Sequence, residues 1–141
     1  MTVRFEPSAG VTKLGYTAAT VTSDSYLQEG ALGLKYGAVV RQQLRGDTTL
    51  LAVTLATSSE GADPLAIGRA RADLALREGW RTAVTVHRAW WKRHWAVSGV
   101  TLPDAALQRH YDLVHYFYGA AGRRGAPPIP LQGVWTADEG G

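Results

Sequence analysis

Residues 1–57 consist of apolar and β-branched segments that glycines and polar clusters separate. The segments LGYTAATVTS, ALGLKYGAVVRQQ and TTLLAVTLATS are rich in Val, Thr, Leu and Tyr, which favour strands. Residues 45–48, RGDT, have the composition of a tight hairpin turn, because Gly46 tolerates positive φ and Asp47 hydrogen-bonds locally. The pattern predicts an antiparallel meander that forms one layer of a β-sandwich.

The third of these segments alternates between two kinds of position. Its odd-numbered positions carry the larger apolar side chains Leu51, Val53 and Leu55, together with Thr49. Its even-numbered positions carry a more mixed set, which is Leu50, Ala52, Thr54 and Ala56. Successive side chains of a strand point to opposite faces of a sheet, so the two sets belong to different faces.

The pattern changes from strands to helices near residue 60. Asp63 is a favourable N-cap, and Pro64 suits the first turn of a helix. We expect this helix to extend to about Glu78 and to end at Gly79 in a left-handed conformation. Apolar residues fall on two sides of the helix, which is typical of a helix that lies between two bodies.

Two further helices are predicted after Gly79. The first covers about Trp80 to Val97 and carries an aromatic face that includes Trp91 and Trp95. The sequence Leu102-Pro103-Asp104 then begins another helix, which runs to about Ala121. Its predicted main apolar face is Leu107, Tyr111, Val114 and Tyr118, with Leu113 and Phe117 beside it. The pattern as a whole predicts an α+β fold.

Composition narrows the possible functions only slightly. Apolar residues make up 45% of the 141 positions and charged residues 19%, which is enough apolar content for a core. Without cysteine there are no disulfides and no thiolate metal ligands. No apolar run reaches membrane-spanning length, and the N-terminal MTVRFEPSAG shows no apolar signal region, so we expect no membrane partner; the compartment stays open.

The segment HRAWWKRHW mixes aromatic and basic residues, as nucleic-acid surfaces do. On a helix, however, the centre of the aromatic face at Trp91 lies away from the stripe of Arg88 and Lys92. Aromatic packing with a solvated basic side is therefore the favoured interpretation. The net charge of +3 is also too small to indicate nucleic acid, and we expect no nucleic-acid partner.

The histidines and carboxylates form no recognisable catalytic or metal-binding pattern. His87 and His94 lack the i, i+4 spacing of a helical metal pair, and no carboxylate accompanies them. His110 and His115 are expected to point in different directions. No carboxylate pair can be assigned to glycoside hydrolysis, and neither a phosphate loop nor a serine nucleophile elbow is present. The sequence predicts no metal and no cofactor.

The proline-rich segment 125–135, GAPPIPLQGVW, is the best candidate for a binding loop. Its prolines restrict the backbone, so little entropy is lost when the loop becomes ordered. Gln132 and Trp135 then place an amide and an indole near Gly133. Such groups suit sugars, whose C–H faces stack on rings and whose hydroxyls need donors and acceptors. Alternatively, Trp135 fills a helical barrel; the two roles are compatible.

Several short motifs follow one another along the chain. They are DPLA at 63–66, GW at 79–80, H-x-x-W-W at 87–91, Trp95, Ser98, LPD at 102–104, Tyr111, RG at 124–125, Pro128 and LQGVW at 131–135. This order resembles that of bacterial six-hairpin glycosidases, nearest to glycoside hydrolase family 95, which contains α-L-fucosidases. The resemblance covers roughly residues 48–141, and LQG-x-W after a proline-rich turn is its most specific part.

The resemblance implies an N-terminal β-sandwich, a helical linker and an (α/α)6 catalytic barrel. Residues 1–57 would then end the sandwich, residues 58–101 would form the linker, and residues 102–141 would be the truncated start of the barrel. In the family, the catalytic acid and base come from segments after the LQG-x-W motif. The resemblance therefore transfers no catalytic residue to this chain.

The resemblance thus implies a fragment of a glycoside hydrolase that acts on oligo- or polysaccharides and is itself inactive. Its expected partner is a carbohydrate substrate, bound through the parent enzyme, with Gln132 and Trp135 bordering the cleft. The main alternative is a complete, non-enzymatic carbohydrate- or protein-binding module. A basic nucleic-acid binder is a third and weaker interpretation.

Overall fold

The computed structural model describes residues 3–122, 124–125 and 128–129, and it combines one sheet with helices. The elements in chain order are α1 (Ala9–Lys13), β1 (Thr20–Val21), β2 (Ser25–Glu29), a 3-10 turn (Ala31–Gly33), β3 (Lys35–Arg45), β4 (Thr48–Thr57), α2 (Pro64–Val97) and α3 (Ala105–Ala121). The four strands form an antiparallel sheet in the order β1-β2-β3-β4. The α+β class and the antiparallel meander are confirmed.

The chain divides into two compact units, Met1–Thr85 and Val86–Gly141. The first contains the sheet and the first part of α2. The second contains the end of α2 and all of α3. Because α2 runs through the boundary, the helical part of the chain belongs to both units.

The hairpin between β3 and β4 forms where the sequence predicts it. Arg45 pairs with Thr48, and the connecting turn contains Gly46 with a φ of 58°. A positive φ at this position suits the tight turn of a two-residue hairpin, and glycine adopts it without steric cost. The long, regular pairing that follows fixes which side chains share a face.

The N-terminal region differs from its predicted pattern. The strand expected over residues 14–23 is reduced to Thr20–Val21, whereas the unpredicted strand β2 pairs along its whole length with β3. Two buried residues of β2 are polar, since Ser25 and Gln28 are each 1% exposed. These buried polar side chains break the apolar alternation by which such a strand is recognised.

The first part of α2 packs on one face of the sheet through small residues. A Cβ added to Gly68 would lie 3.0 Å from Val39 Cγ2, and one added to Gly37 would lie 2.8 Å from Leu65 Cδ2. Thr54 Oγ1 also donates a hydrogen bond to the Gly68 carbonyl at 2.8 Å. The helix and sheet backbones therefore approach closely, around a fully buried Val39.

The opposite face of β4 is exposed, although it carries the larger apolar side chains. Leu51, Val53 and Leu55 are 39%, 60% and 73% exposed, and Leu44 of β3 on the same face is 72% exposed. The mixed face with Thr54 and Ala56 is the one that α2 covers. The covered face is thus set by where glycine and alanine allow close approach, not by apolar volume.

Helix α2 begins as predicted and is interrupted at the predicted glycine. Asp63 Oδ1 accepts a hydrogen bond from the Ala66 N–H at 3.0 Å, and Pro64 is the first helical residue. Gly79 interrupts the helical dihedrals with φ 80° and ψ 162°. Its φ is positive as expected, but its ψ is extended instead of left-handed helical. The break therefore joins two helical segments, residues 64–78 and 80–97.

Helix α3 has the predicted ends but not the predicted packing face. Asp104 caps its start by accepting from the N–H groups of Ala106 and Leu107, and Gly122 ends it. The predicted main face was wrong, because two of its members, Leu107 and Tyr118, are 60% and 63% exposed. The side that packs against α2 is built by His115, Tyr116 and Gly119.

Candidate functional site

The two residues predicted to bind sugar, Gln132 and Trp135, lie outside the described residues. Of their loop, the structure describes Gly125, Pro128 and Ile129. The chemistry that the described residues offer is concentrated in two clusters, one in each compact unit. The first is a group of aromatic rings and histidines in Val86–Gly141, and the second is a charged network in Met1–Thr85.

The ring cluster starts on α2, where neighbouring turns place aromatic side chains in contact. Trp90 stacks on His94 with ring centroids 5.1 Å apart and planes 8° apart. Trp91 meets His94 edge-on at 5.3 Å and stacks with Trp95 at 6.2 Å. The spacing of these residues, one helical turn apart, is what lets their rings touch.

Helix α3 contributes the other half of the cluster. The His94 and His115 rings lie 4.6 Å apart, and Tyr116 stacks on Trp91 at 5.0 Å. Gly119 is buried against His94: an added Cβ would lie 2.5 Å from Nε2 of that histidine. The glycine therefore allows the two helices to approach closely at this point.

The two central histidines each have a nitrogen without a hydrogen-bond partner. His94 Nε2 and His115 Nδ1 are buried and, within the described part of the chain, accept from and donate to no other group. A buried polar atom without a partner costs about 1–3 kcal/mol. The backbone at Gly119 stands beside His94 Nε2, so that nitrogen is directed at close packing and not at an open ligand position.

The sequence predicts no pair of metal-binding histidines on α2. Residues 3–122, 124–125 and 128–129 contain no group of three His, Asp or Glu side chains that could hold a metal ion. The contact that forms is between His94 and His115, which sequence spacing did not bring together. The only sequence signal for it is Gly119, because glycine inside a helix lowers helix propensity and close packing is a common reason for its presence.

The basic and aromatic sides of α2 differ in exposure. Arg88 and Lys92 are exposed, while Trp90 and Trp91 are half-buried in the ring cluster. Trp80 and Trp95 are nevertheless 60% and 39% exposed, so the predicted aromatic face is only partly covered. The arrangement supplies aromatic packing between two helices.

The charged network in the first unit joins β2, β3 and α2. Asp24, just before β2, forms an ion pair with Arg41 and lies 3.7 Å from Arg69 Nη2. Arg41 Nε lies 3.4 Å from Asp73 Oδ1, and Arg69 Nη2 donates to Ser25 Oγ at 3.3 Å. Sequence reasoning did not single out these residues, because they are distant along the chain and follow no motif spacing.

The network keeps Asp24 ionised. The pKa of Asp24 lies below its ordinary value of 3.8, chiefly because Thr22 Oγ1 donates a hydrogen bond to it at 2.9 Å. Burial is the next largest effect and opposes the shift, while the nearby charges of Arg41 and Arg69 lower the pKa further. A carboxylate held in this form cannot act as a proton donor near neutral pH, so the network connects elements of the fold.

No family model, curated protein or solved structure matches the chain. Within the described residues, each helix is too short or too polar to cross a lipid bilayer.

Proposed function

We propose that this chain is part of a glycoside hydrolase and comes from the junction between its β-sandwich and its (α/α)6 barrel. The order of motifs from DPLA at 63–66 to LQGVW at 131–135 supports this proposal. The observation that carries it is the apolar outer face of the sheet, which stays exposed on the side that α2 does not cover.

The outer face has the chemistry of a sandwich interior. In a two-sheet sandwich, each sheet buries its apolar face against the other sheet, about 10 Å away. Leu44, Val53 and Leu55 are each at least 60% exposed, and exposed apolar area costs about 25 cal/mol per Å² relative to burial. A second sheet of the parent enzyme, lying on this face, would remove that cost.

Helix α3 has an apolar surplus of the same kind. Leu107, Phe117 and Tyr118 are about 60% exposed, while His115 and Tyr116 pack against α2. A helix with apolar side chains on more than one side is typical of a position between several neighbours. The proposal assigns α3 to the first helix of the barrel, where further helices cover its remaining sides.

The proposal places sugar contact at Gln132 and Trp135 and places catalysis elsewhere in the parent enzyme. Asp24 is unsuitable as a catalytic acid, because the hydrogen bond from Thr22 and the charges of two arginines keep it ionised. Inverting and retaining glycosidases both need one carboxyl group that gives a proton and a second across the scissile bond. We therefore expect residues 1–141 alone to hydrolyse no glycoside.

The role of the loop is tested by substituting Trp135 in a longer protein translated from the same reading frame. Trp135→Ala is expected to raise KM for an oligosaccharide about 5- to 30-fold, because a stacking contact worth about 1–2 kcal/mol is lost. The matched control is Trp80→Ala, since Trp80 is an exposed tryptophan outside the loop. Unchanged KM and kcat in the Trp135 variant would contradict the assigned role.

The binding-module alternative predicts a different behaviour of the isolated chain. A complete module should bind a glycan without any further segment, unfold in one cooperative step and bind little of the apolar dye ANS. The fragment proposal predicts no measurable glycan binding and strong ANS fluorescence in the folded state. Titration calorimetry with oligosaccharides, together with ANS fluorescence of the same sample, separates the two.

A further inference from the structure

Strand β4 is at one end of the sheet, and its outer side has no strand partner among the described residues. The strand Thr48–Thr57, TTLLAVTLAT, contains no charge and no proline. Edge strands usually carry charges, prolines or bulges that prevent pairing with other chains. Strand β4 carries none of these features. Another strand can therefore pair with it wherever its backbone N–H and C=O groups have no other partner.

The register with β3 shows which backbone groups face the open side. The N–H of Ser58 donates to the Lys35 carbonyl at 2.7 Å, which makes these two residues a hydrogen-bonded pair. In an antiparallel ladder such pairs alternate with non-bonded ones. Even-numbered residues of β4 therefore bond to β3, and the odd-numbered residues 49–57 direct their N–H and C=O groups outward.

Two charged side chains occupy the outward groups at the end of β4. Glu60 Oε1 accepts from the N–H of Thr57 at 3.0 Å, and Arg71 Nη1 donates to the Leu55 carbonyl at 3.2 Å. Glu60 and Arg71 also form an ion pair with each other. This clamp, formed by Glu60 and Arg71, bonds to the edge as a neighbouring strand would, and it blocks further pairing at Leu55 and Thr57.

The clamp is charged at neutral pH. The hydrogen bond from Arg71, followed by that from the Thr57 N–H, holds the pKa of Glu60 below its ordinary value of 4.5. The open part of the edge is therefore limited to residues 49–53, between the turn at Gly46 and the clamp. Within it, Thr49, Leu51 and Val53 have outward N–H and C=O groups that the described residues leave without a strand partner.

We propose that this open edge pairs with the same edge of a second copy of the chain, antiparallel, about a two-fold axis at Leu51. Leu51 is the middle of the open stretch, so this register brings Leu51 opposite Leu51 and Thr49 opposite Val53 of the second copy. Each is a hydrogen-bonded pair, and each such pair contributes two backbone hydrogen bonds. The outward N–H and C=O groups of Thr49, Leu51 and Val53 in both copies are then all hydrogen-bonded.

Charge and side-chain pattern favour a second copy as the occupant. A two-fold interface must be complementary to itself, and β4 brings no like charges together because it has none. One step beyond the paired stretch, Leu55 comes opposite Asp47 of the second copy. The guanidinium of Arg71, bonded at Leu55, would then have a carboxylate as its neighbour. Leu51 and Val53 of both copies would also form one continuous apolar surface.

The register is tested by cysteine cross-linking, which suits a chain without native cysteine. In the Leu51→Cys protein, the two cysteines face each other across the two-fold axis. Their Cα atoms are about 5.5 Å apart, which is within the range for a disulfide. The matched control is Leu55→Cys, on the same strand and face. In the proposed register the two Leu55 positions are about 26 Å apart, at about 3.3 Å per residue.

We expect the Leu51→Cys protein to form a disulfide-linked dimer under mild oxidation at least about tenfold faster than the Leu55→Cys protein. Equal rates, or a faster Leu55→Cys reaction, would overturn the register. Light scattering should give twice the chain mass for the unmodified protein. A single-chain mass at every concentration up to about the millimolar range would overturn self-pairing and leave the edge to a different strand.

A proline variant keeps the test independent of cysteine chemistry. Leu51→Pro removes an outward N–H but no bond to β3, so the chain should stay folded and lose its dimer. Leu50→Pro removes an N–H that bonds to β3 and should instead destabilise the sheet. A Leu51→Pro protein that keeps its circular dichroism spectrum and still forms the dimer would contradict the proposal.

Discussion

At the scale of single residues, the two helices of the second unit meet at a position where no side chain fits. Gly119 leaves no room for a Cβ, because one would come within 2.5 Å of His94 Nε2 and 2.8 Å of His94 Cε1. The histidine ring is itself confined, since Trp90 stacks on one side of it and His115 lies 4.6 Å away. The stability of this unit therefore depends on a pair of residues, not on either one alone.

Substitution of Gly119 by alanine should reveal this dependence. Gly119→Ala is expected to destabilise the unit by about 1–3 kcal/mol, because the added Cβ overlaps the confined ring. In a His94→Ala background the same substitution should stabilise by up to about 1 kcal/mol, because alanine favours helix over glycine. Urea unfolding of the four proteins measures the coupling. The same sign in both backgrounds would contradict the packing described at Gly119.

The ionisation of Asp24 should make the stability of the folded chain depend on pH. Its folded-state pKa is lowered from 3.8, so the carboxylate stabilises the fold fully above that value, and this contribution is lost as pH falls through the lowered pKa. The free energy of unfolding should therefore decrease below about pH 5, and less so in Asp24→Asn. Thr22→Val should give an intermediate slope, because it removes the largest cause of the shift. Identical slopes in all three proteins would exclude Asp24 as a cause of acid sensitivity.

At the scale of elements, local chemistry determined where helices and turns begin and end. The RGDT turn, the Asp63 cap with Pro64, the break at Gly79 and the Asp104 cap all follow from residues within one turn of the chain. Such signals act over a few residues, so they are readable in the sequence. Strand β2 was missed because its buried Ser25 and Gln28 are polar.

The choice of packing face could not be predicted in the same way. The apolar volume of β4 points to Leu51, Val53 and Leu55, yet α2 covers the opposite face, where Gly37 and Gly68 allow close approach. Contacts such as His94 with His115, or Asp24 with Arg41, join residues that only the folded chain brings together. No periodicity in one segment contains that information. The sugar-binding role of Gln132 and Trp135 stays a prediction from the composition of their loop.

The break in α2 at Gly79 leads to a prediction about thermal stability. Gly79 has φ 80° and ψ 162°, a region that residues with a Cβ adopt only at a cost of about 1–3 kcal/mol. Its added Cβ would meet no atom closer than 3.6 Å, so the cost of Gly79→Ala is one of backbone conformation. Thermal unfolding should show a lower Tm for Gly79→Ala. Gly99→Ala, with open space and no positive φ, is the matched control and should leave Tm nearly unchanged.

At the scale of the whole molecule, the exposed apolar surfaces are the feature that most needs a partner. The outer face of the sheet and the uncovered sides of α3 both carry large side chains. Single exposed apolar residues are common on soluble proteins, but a contiguous patch indicates an interface. The proposal that this chain belongs to a larger enzyme rests on the outer face, because its strands are regular and its partner would be another sheet.

Replacing the outer face should change dye binding more than stability. A variant with Leu51→Thr, Val53→Thr and Leu55→Thr keeps residues that favour strands and removes the exposed apolar surface. ANS fluorescence should fall markedly, with a change in unfolding free energy of less than about 2 kcal/mol. Val39→Thr, at a fully buried position of the opposite face, should destabilise without lowering dye binding. A triple variant that fails to fold would show that this face is part of the core.

The most direct test of the central claim is glycoside hydrolysis by the protein translated from the reading frame that contains these residues and continues past Gly141. We predict that this longer protein releases the chromophore from at least one 4-nitrophenyl glycoside of a broad panel, whereas residues 1–141 release none. We also predict that substituting a single carboxylate after Gly141 abolishes the activity. A stop codon directly after Gly141, or a longer protein without hydrolysis on any member of the panel, would contradict the account.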